Sequence, residues 1–182
     1  MHMATRVKRW TLDEVHSLAD DGNKYELIHG ELFVTPPPSV EHETILGRLS
    51  ALLVPYVAKH DLGMVYHPRA VVRVQGSEAE PDLMVRRPPS EQLRNDWDRV
   101  AIPLLVIEVL SPYTRRRDHM QKRDWYAEIG VVEYWIVDPE QRAVRVIKRG
   151  ADESLVVDTL RWHPSGADSP LVIDLGRLFG EP

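Results

Sequence analysis

The run Leu104-Leu105-Val106-Ile107-Glu108-Val109-Leu110 constrains this chain more than any other segment. Successive side chains of a strand point to opposite faces, so a strand that is aliphatic at consecutive positions must be covered on both sides. The run therefore predicts a central strand in a doubly covered sheet. Glu108 is its one exception. A carboxylate in such a strand is costly to bury unless something compensates its charge. The plain alternatives are a glutamate that reaches solvent at the strand end, or one paired with an arginine.

The rest of the chain supplies layers for that strand. Thr11-Leu-Asp-Glu14 reads as a capping box opening a short helix to about residue 19. Tyr25-Glu26-Leu27-Ile28 and Glu31-Leu32-Phe33-Val34 flank His29-Gly30 and predict a hairpin, which Pro36-Pro37-Pro38 stops. Ser39 suits the N-cap of a long helix to about Lys59, with Pro55 kinking or shortening its last turns. Val65-Tyr66, Val71 to Val74 and Leu83-Met84-Val85 read as three strands, and residues 86–103 as a surface loop with one helical turn. A helix over 116–129 ends at Gly130, and residues 133–138 and 143–148 form a strand pair. The tail to Phe179 adds one or two strands and a short closing helix. Helix, strands, helix and strands in this order predict one α/β domain over 1–182, a central mixed β-sheet flanked by helices.

Composition narrows the function classes. The chain has no cysteine, which excludes disulfides, thiolate zinc sites and a cysteine nucleophile, and fits a reducing, cytoplasmic location. No apolar run approaches the roughly 20 residues that span a bilayer, and the first residues carry no signal-peptide pattern. The formal net charge of −5 runs against a nonspecific nucleic-acid binder, whose affinity comes from displacing phosphate counterions. A local basic patch offsets this at Arg115, Arg116 and Arg117, followed by Lys122 and Arg123.

Four further residues stand out beside Glu108. Asp82 follows Pro81 at the start of a predicted strand, where an aspartate is also common as a plain turn residue. Adjacent strands lie about 5 Å apart, so two acids on neighbouring strands can share one hard cation. On the helix after Glu108, Asp118, Lys122, Trp125 and Ile129 fall on one stripe with Tyr126 beside it. The apolar half of that stripe faces the core, which carries Lys122 inward; the competing reading is an exposed Asp118–Lys122 ion pair. Glu26 fits either an acid supporting the site or the solvent face of an edge strand. His42 fits either a hydrogen bond to a phosphate or catalytic acid, or an exposed helix-start histidine. There is no His-Glu-x-x-His, glycine-rich phosphate loop or Gly-x-Ser-x-Gly elbow.

Taken together these segments resemble the Uma-two family of restriction-type endonucleases. The resemblance is carried by Tyr25-Glu26-Leu27-Ile28-x-Gly30-Glu31-Leu32, Pro38-Ser39-x-x-His42, Pro81-Asp82 and Val106-Ile107-Glu108-Val109-Leu110-Ser111-Pro112. It continues through Asp118-x-x-x-Lys122-x-x-x-Tyr126 and Gly130-Val131-x-Glu133-Tyr134-Trp135-Ile136-Val137-Asp138-Pro139, and spans residues 11–179. It implies the restriction endonuclease-like core of PD-(D/E)xK nucleases and metal-assisted phosphodiester hydrolysis, with DNA as the expected substrate. Asp82, Glu108 and the Val109 carbonyl would hold Mg²⁺ or Mn²⁺. Glu108-Val109-Leu110 departs from the usual Glu-x-Lys triplet, and Lys122 matches the lysine that this family takes from the following helix. The resemblance further implies Glu26 as an accessory acid, Asp118 steering Lys122, and Arg115 to Arg117 on the DNA backbone. By analogy with other nucleases of this fold, it implies a homodimer. The alternatives are a catalytically silent binding or assembly protein on the same fold, and a carboxylate-pair glycosidase, in which the lysine has no role.

Overall fold

The computed structural model describes residues 8–90, 96–111 and 118–180. Its first helix, α1 (Leu12–His16), opens on the Thr11–Glu14 capping box and ends three residues earlier than the sequence suggests. Strands β1 (Lys24–Ile28) and β2 (Glu31–Thr35) form a hairpin through His29 and Gly30, whose φ angles of 50° and 79° fit the tight turn that matches strand twist. Helix α2 (Val40–Lys59) starts at the Ser39 cap and runs through Pro55. Pro55 has no N–H to give, yet Tyr56 and Val57 just beyond it are buried, and that packing sustains the last turn.

The six strands that follow are β3 (Met64–Tyr66), β4 (Val72–Val74), β5 (Ser77–Ala79), β6 (Leu83–Arg86), β7 (Leu105–Val109) and β8 (Glu133–Asp138). A 3₁₀ turn at Trp97–Arg99 lies between β6 and β7. Between β7 and β8 a π-helical turn over Asp118–Lys122 leads into α3 (Arg123–Ile129). This turn holds one residue more than an α turn and shifts the spacing expected across Asp118 and Lys122. The chain closes with β9 (Ala143–Lys148), β10 (Ser154–Val156), β11 (Thr159–Trp162), β12 (Leu171–Asp174) and α4 (Leu175–Leu178).

The main sheet has the order β10-β9-β8-β7-β6-β3. Only β7 and β8 run parallel, as expected of two strands joined through a helix, so the sheet is mixed. β7 lies inside it with every residue buried. Leu105, Ile107 and Val109 pack on the face covered by α2 and the C-terminal β11–β12 hairpin with α4. Val106 and Leu110 pack on the other face with Trp125 and Tyr126 of α3. Alternation therefore sends Glu108 towards α3.

A second, antiparallel sheet, β2-β1-β5-β4, was not legible as a unit. β5 reads Ser77-Glu78-Ala79 and gives no apolar pattern, yet all three residues are buried. Arg73 holds Glu78 there through an ion pair, and His16 Nε2 makes a hydrogen-bond contact with it at 2.9 Å. β5 makes β1 an inner strand, so Glu26 is buried rather than on a solvent-facing edge. Among the described residues, no helix is long and apolar enough to cross a membrane.

Candidate active site

Strand pairing brings the two sequence-predicted acids together. β6 and β7 are antiparallel with Leu83 opposite Ile107, and one further step of that register sets Asp82 against Glu108. The backbone N–H of Val109 donates to Asp82 Oδ2 at 2.8 Å, fixing the aspartate on its neighbouring strand.

The two oxygens of Glu108 serve different surroundings. Oε1 accepts from Lys122 Nζ at 2.5 Å and from the Tyr126 hydroxyl at 3.2 Å. Lys122 is fully buried, and its ammonium also lies 2.9 Å from Glu26 Oε1. That same Glu26 oxygen accepts the backbone N–H of Glu80 at 2.9 Å, tying the second sheet to the cluster. The π turn and the start of α3 deliver Lys122 and Tyr126; β1 delivers Glu26. Burial, then the charges of Glu108 and Glu26, push the Tyr126 phenol well above its ordinary pKa, so it stays a donor.

Glu108 Oε2 looks the other way. It lies 4.0 Å from Lys24 Nζ, which is also 3.4 Å from Asp82 Oδ1 and donates to the Glu80 carbonyl at 2.9 Å. His42 Nε2 approaches Asp82 Oδ2 at 3.4 Å. Burial opposes ionisation of Asp82, but Lys24 and His42, with Lys122 behind them, outweigh it and hold its carboxyl well below the usual range. For His42, burial works against the charged ring, and the hydrogen bond and charge of Asp82 overcome this to raise its pKa.

Asp82, Glu108, Val109, His42, Lys24 and Glu80 all line one cavity of about 330 Å³, walled by Pro36 to Pro38 and by Pro68 and Arg69. Lys122, Glu26 and Tyr126 do not line it; they sit behind Glu108. Arg115, Arg116 and Arg117 fall outside the described residues. Asp118 begins the π turn, and its side chain is also outside the described set. The residue that sequence reasoning missed is Lys24. A signal existed: Lys24 and Glu26 are two apart on one strand, and so share a face.

The donor set suits a hard divalent cation. Two carboxylates from adjacent strands and a backbone carbonyl converge where an ammonium already sits, so the position attracts positive charge. Among the described residues there is no group of three His, Cys, Asp or Glu side chains that could hold a metal. That is poor for zinc, but ordinary for Mg²⁺, which usually takes one or two carboxylates and keeps waters for the rest.

Comparison with known proteins gives the family and the fold. The sequence matches the Uma2 family, described as "putative restriction endonuclease", over residues 12–171. The fold is similar to the crystal structure of a "putative nuclease belonging to DUF820" from Anabaena variabilis, with a TM-score of 0.80. The two share 21% identity, and the alignment covers 94% of this chain and 98% of that one. No curated protein sequence matches the chain.

Proposed function

Because the chain belongs to the Uma2 family of restriction-endonuclease-like nucleases, we propose that it hydrolyses phosphodiester bonds in DNA with Mg²⁺ or Mn²⁺ as cofactor. One observation carries the reading: Asp82 and Glu108, from adjacent strands, line the same cavity and face a common cation position.

Asp82 and Glu108 would hold the ion, with the Val109 or Glu80 carbonyl as a neutral oxygen donor. When bound, the ion supplies Lewis-acid stabilisation of the phosphate and lowers the pKa of water. The chain's own groups prepare the site. Lys122 and Tyr126 occupy Glu108 Oε1 and so present Oε2 to the cavity. Glu26 balances the Lys122 charge, and the amine acts through Glu108 rather than from the cavity wall. Val109 N–H and His42 fix Asp82, and His42 stands where it can also meet a bound phosphate. Arg115 to Arg117 are assigned to the DNA backbone, where arginines position the duplex without reading its sequence. Two strands need two cuts, and a homodimer supplies the second site.

Plasmid cleavage tests this directly. The wild-type chain should nick or linearise DNA with Mg²⁺ or Mn²⁺ and stop with EDTA, and Asp82→Ala should abolish cleavage. A folded wild-type protein that cleaves neither DNA nor RNA with either ion would favour the silent assembly protein instead. Light scattering at micromolar concentration reads the dimer.

A further inference from the structure

The site holds two lysines in unlike situations. Lys122 is sealed between Glu108 and Glu26 at 2.5 and 2.9 Å with no exposed side-chain surface. Lys24 lines the cavity, its side chain is 17% exposed, and its contacts to Asp82 and Glu108 are longer, at 3.4 and 4.0 Å. Its ammonium faces Asp82 Oδ1, Glu108 Oε2 and the Glu80 carbonyl. Those oxygens are the ones a divalent ion would use.

We propose that Lys24 is the exchangeable cation of this site. Its ammonium sits between Asp82 and Glu108 when no metal is bound; a divalent ion displaces it, and it then becomes the cavity-facing contact to the substrate phosphate. The proposal rests on the metal-dependent reading above and assigns the phosphate contact to a residue that the sequence alone did not single out.

Charge and geometry carry the argument. An ammonium and a divalent ion cannot share one set of oxygens, because like charges a few ångströms apart repel strongly in a poorly solvated cavity. Lys24 is able to leave: its four-carbon stem is flexible, its head is a compact point charge, and it opens directly onto the cavity. Lys122 has no such path. With His42 neutral, the groups Glu26, Asp82, Glu108, Lys24 and Lys122 sum to one negative charge. A divalent ion turns that into one positive charge, which suits a phosphodiester anion. Keeping Lys24 in the cavity adds one positive charge to the loaded site, beside any charge His42 carries against Asp82.

Mn²⁺ binding to the full chain, measured by isothermal titration calorimetry, tests the exchange apart from activity. Lys24→Met and Lys24→Gln should each bind Mn²⁺ about tenfold more tightly than wild type, since the competing charge is gone. At saturating Mn²⁺ both should cleave plasmid about a hundredfold more slowly, the loss typical of one stabilising donor. Unchanged or weaker Mn²⁺ binding in both variants, with circular dichroism showing them folded, would overturn the proposal. Undiminished cleavage at saturating metal overturns it equally. If wild type binds no Mn²⁺ at all, the metal-dependent reading itself fails and this one with it. If wild type binds and cleaves while the Lys24 variants match it, only the exchange is lost.

Discussion

Lys122 Nζ lies 2.5 Å from Glu108 Oε1, and neither side chain has meaningful access to solvent. The pair joins the central strand to the helix that follows it, and Glu26 on the second sheet completes the link at 2.9 Å. Three elements distant in sequence are thus held by one ammonium. A buried ion cluster of this kind adds little net stability over well-packed apolar residues, but removing one partner leaves uncompensated charge.

Lys122→Met should therefore destabilise the fold by about 3–5 kcal/mol, because it strands two buried carboxylates. Urea denaturation at pH 7 reads this. Lys122→Met combined with Glu26→Gln should recover part of the loss, since one of the stranded charges is removed. A loss below about 1 kcal/mol in the single variant would mean the cluster is solvated and the burial argument is wrong.

Glu108 and Lys122 were legible in the sequence for a physical reason. One acid in a seven-residue aliphatic run has to be compensated, and a lysine on the inward stripe of the next helix is a compensating charge. Asp82 was legible only in combination, as a second acid on a second strand. Lys24 was missed, and Glu26 stayed open between a supporting acid and the solvent face of an edge strand, because alternation of polar and apolar residues reads equally as either. What buries them is β5, whose Ser77-Glu78-Ala79 carries no apolar period and is held by Arg73 and His16 instead. Pairing between distant, polar segments leaves no local signature. The π turn at Asp118–Lys122 escaped for a related reason, since one extra residue in a turn leaves both ends of the stripe recognisable.

Tyr126→Phe should separate orientation from charge. It removes the 3.2 Å hydrogen bond to Glu108 Oε1 and leaves the Lys122 contact in place. A stability cost of about 1–2 kcal/mol is expected for a buried donor lost to a charged acceptor. If Glu108 must be aimed, Mn²⁺ affinity should fall several-fold while Lys122 still neutralises it. Wild-type metal affinity in this variant would show that Tyr126 merely fills space.

Glu133 offers a pH test away from the site. It is buried at the start of β8, accepts from Trp135 Nε1 at 2.7 Å, and sees Lys148 at 3.6 Å. Burial raises its pKa above the usual value, and the Trp135 bond and Lys148 only partly offset this. A folded pKa above the unfolded one means the protonated form is favoured by folding. That contribution is fully present below the unfolded value near 4.5 and is lost as pH rises through the folded value. Glu133→Gln keeps an acceptor for Trp135 without the buried charge. It should melt a few degrees above wild type at pH 7.5 and level with it at pH 4. A variant that melts lower at pH 7.5 would mean the Lys148 pairing outweighs burial.

Gly63 and Gly22 separate backbone strain from backbone collision. Both have positive φ, +116° at Gly63 and +86° at Gly22. A Cβ at Gly22 would meet nothing within 4 Å, so Gly22→Ala should cost only the strain of a left-handed alanine, about 1–2 kcal/mol. A Cβ at Gly63 would lie 2.4 Å from the Arg86 carbonyl oxygen, 2.7 Å from its carbon and 2.9 Å from Arg87 N. These are backbone atoms at the end of β6, paired there with Met64 of β3, and they cannot yield as a side chain does. Gly63→Ala should therefore add about 1–3 kcal/mol of overpacking to a strain at least as large, since its φ lies further from the left-handed region. It should also disturb the proposed metal site, because the strand that must move is the one that follows Asp82. Chemical denaturation of both variants, with Mn²⁺ titration of each, gives the comparison. Equal stability costs would mean that the β3–β6 edge is soft enough to open around a methyl group, and in that case Asp82 should keep its wild-type affinity for metal.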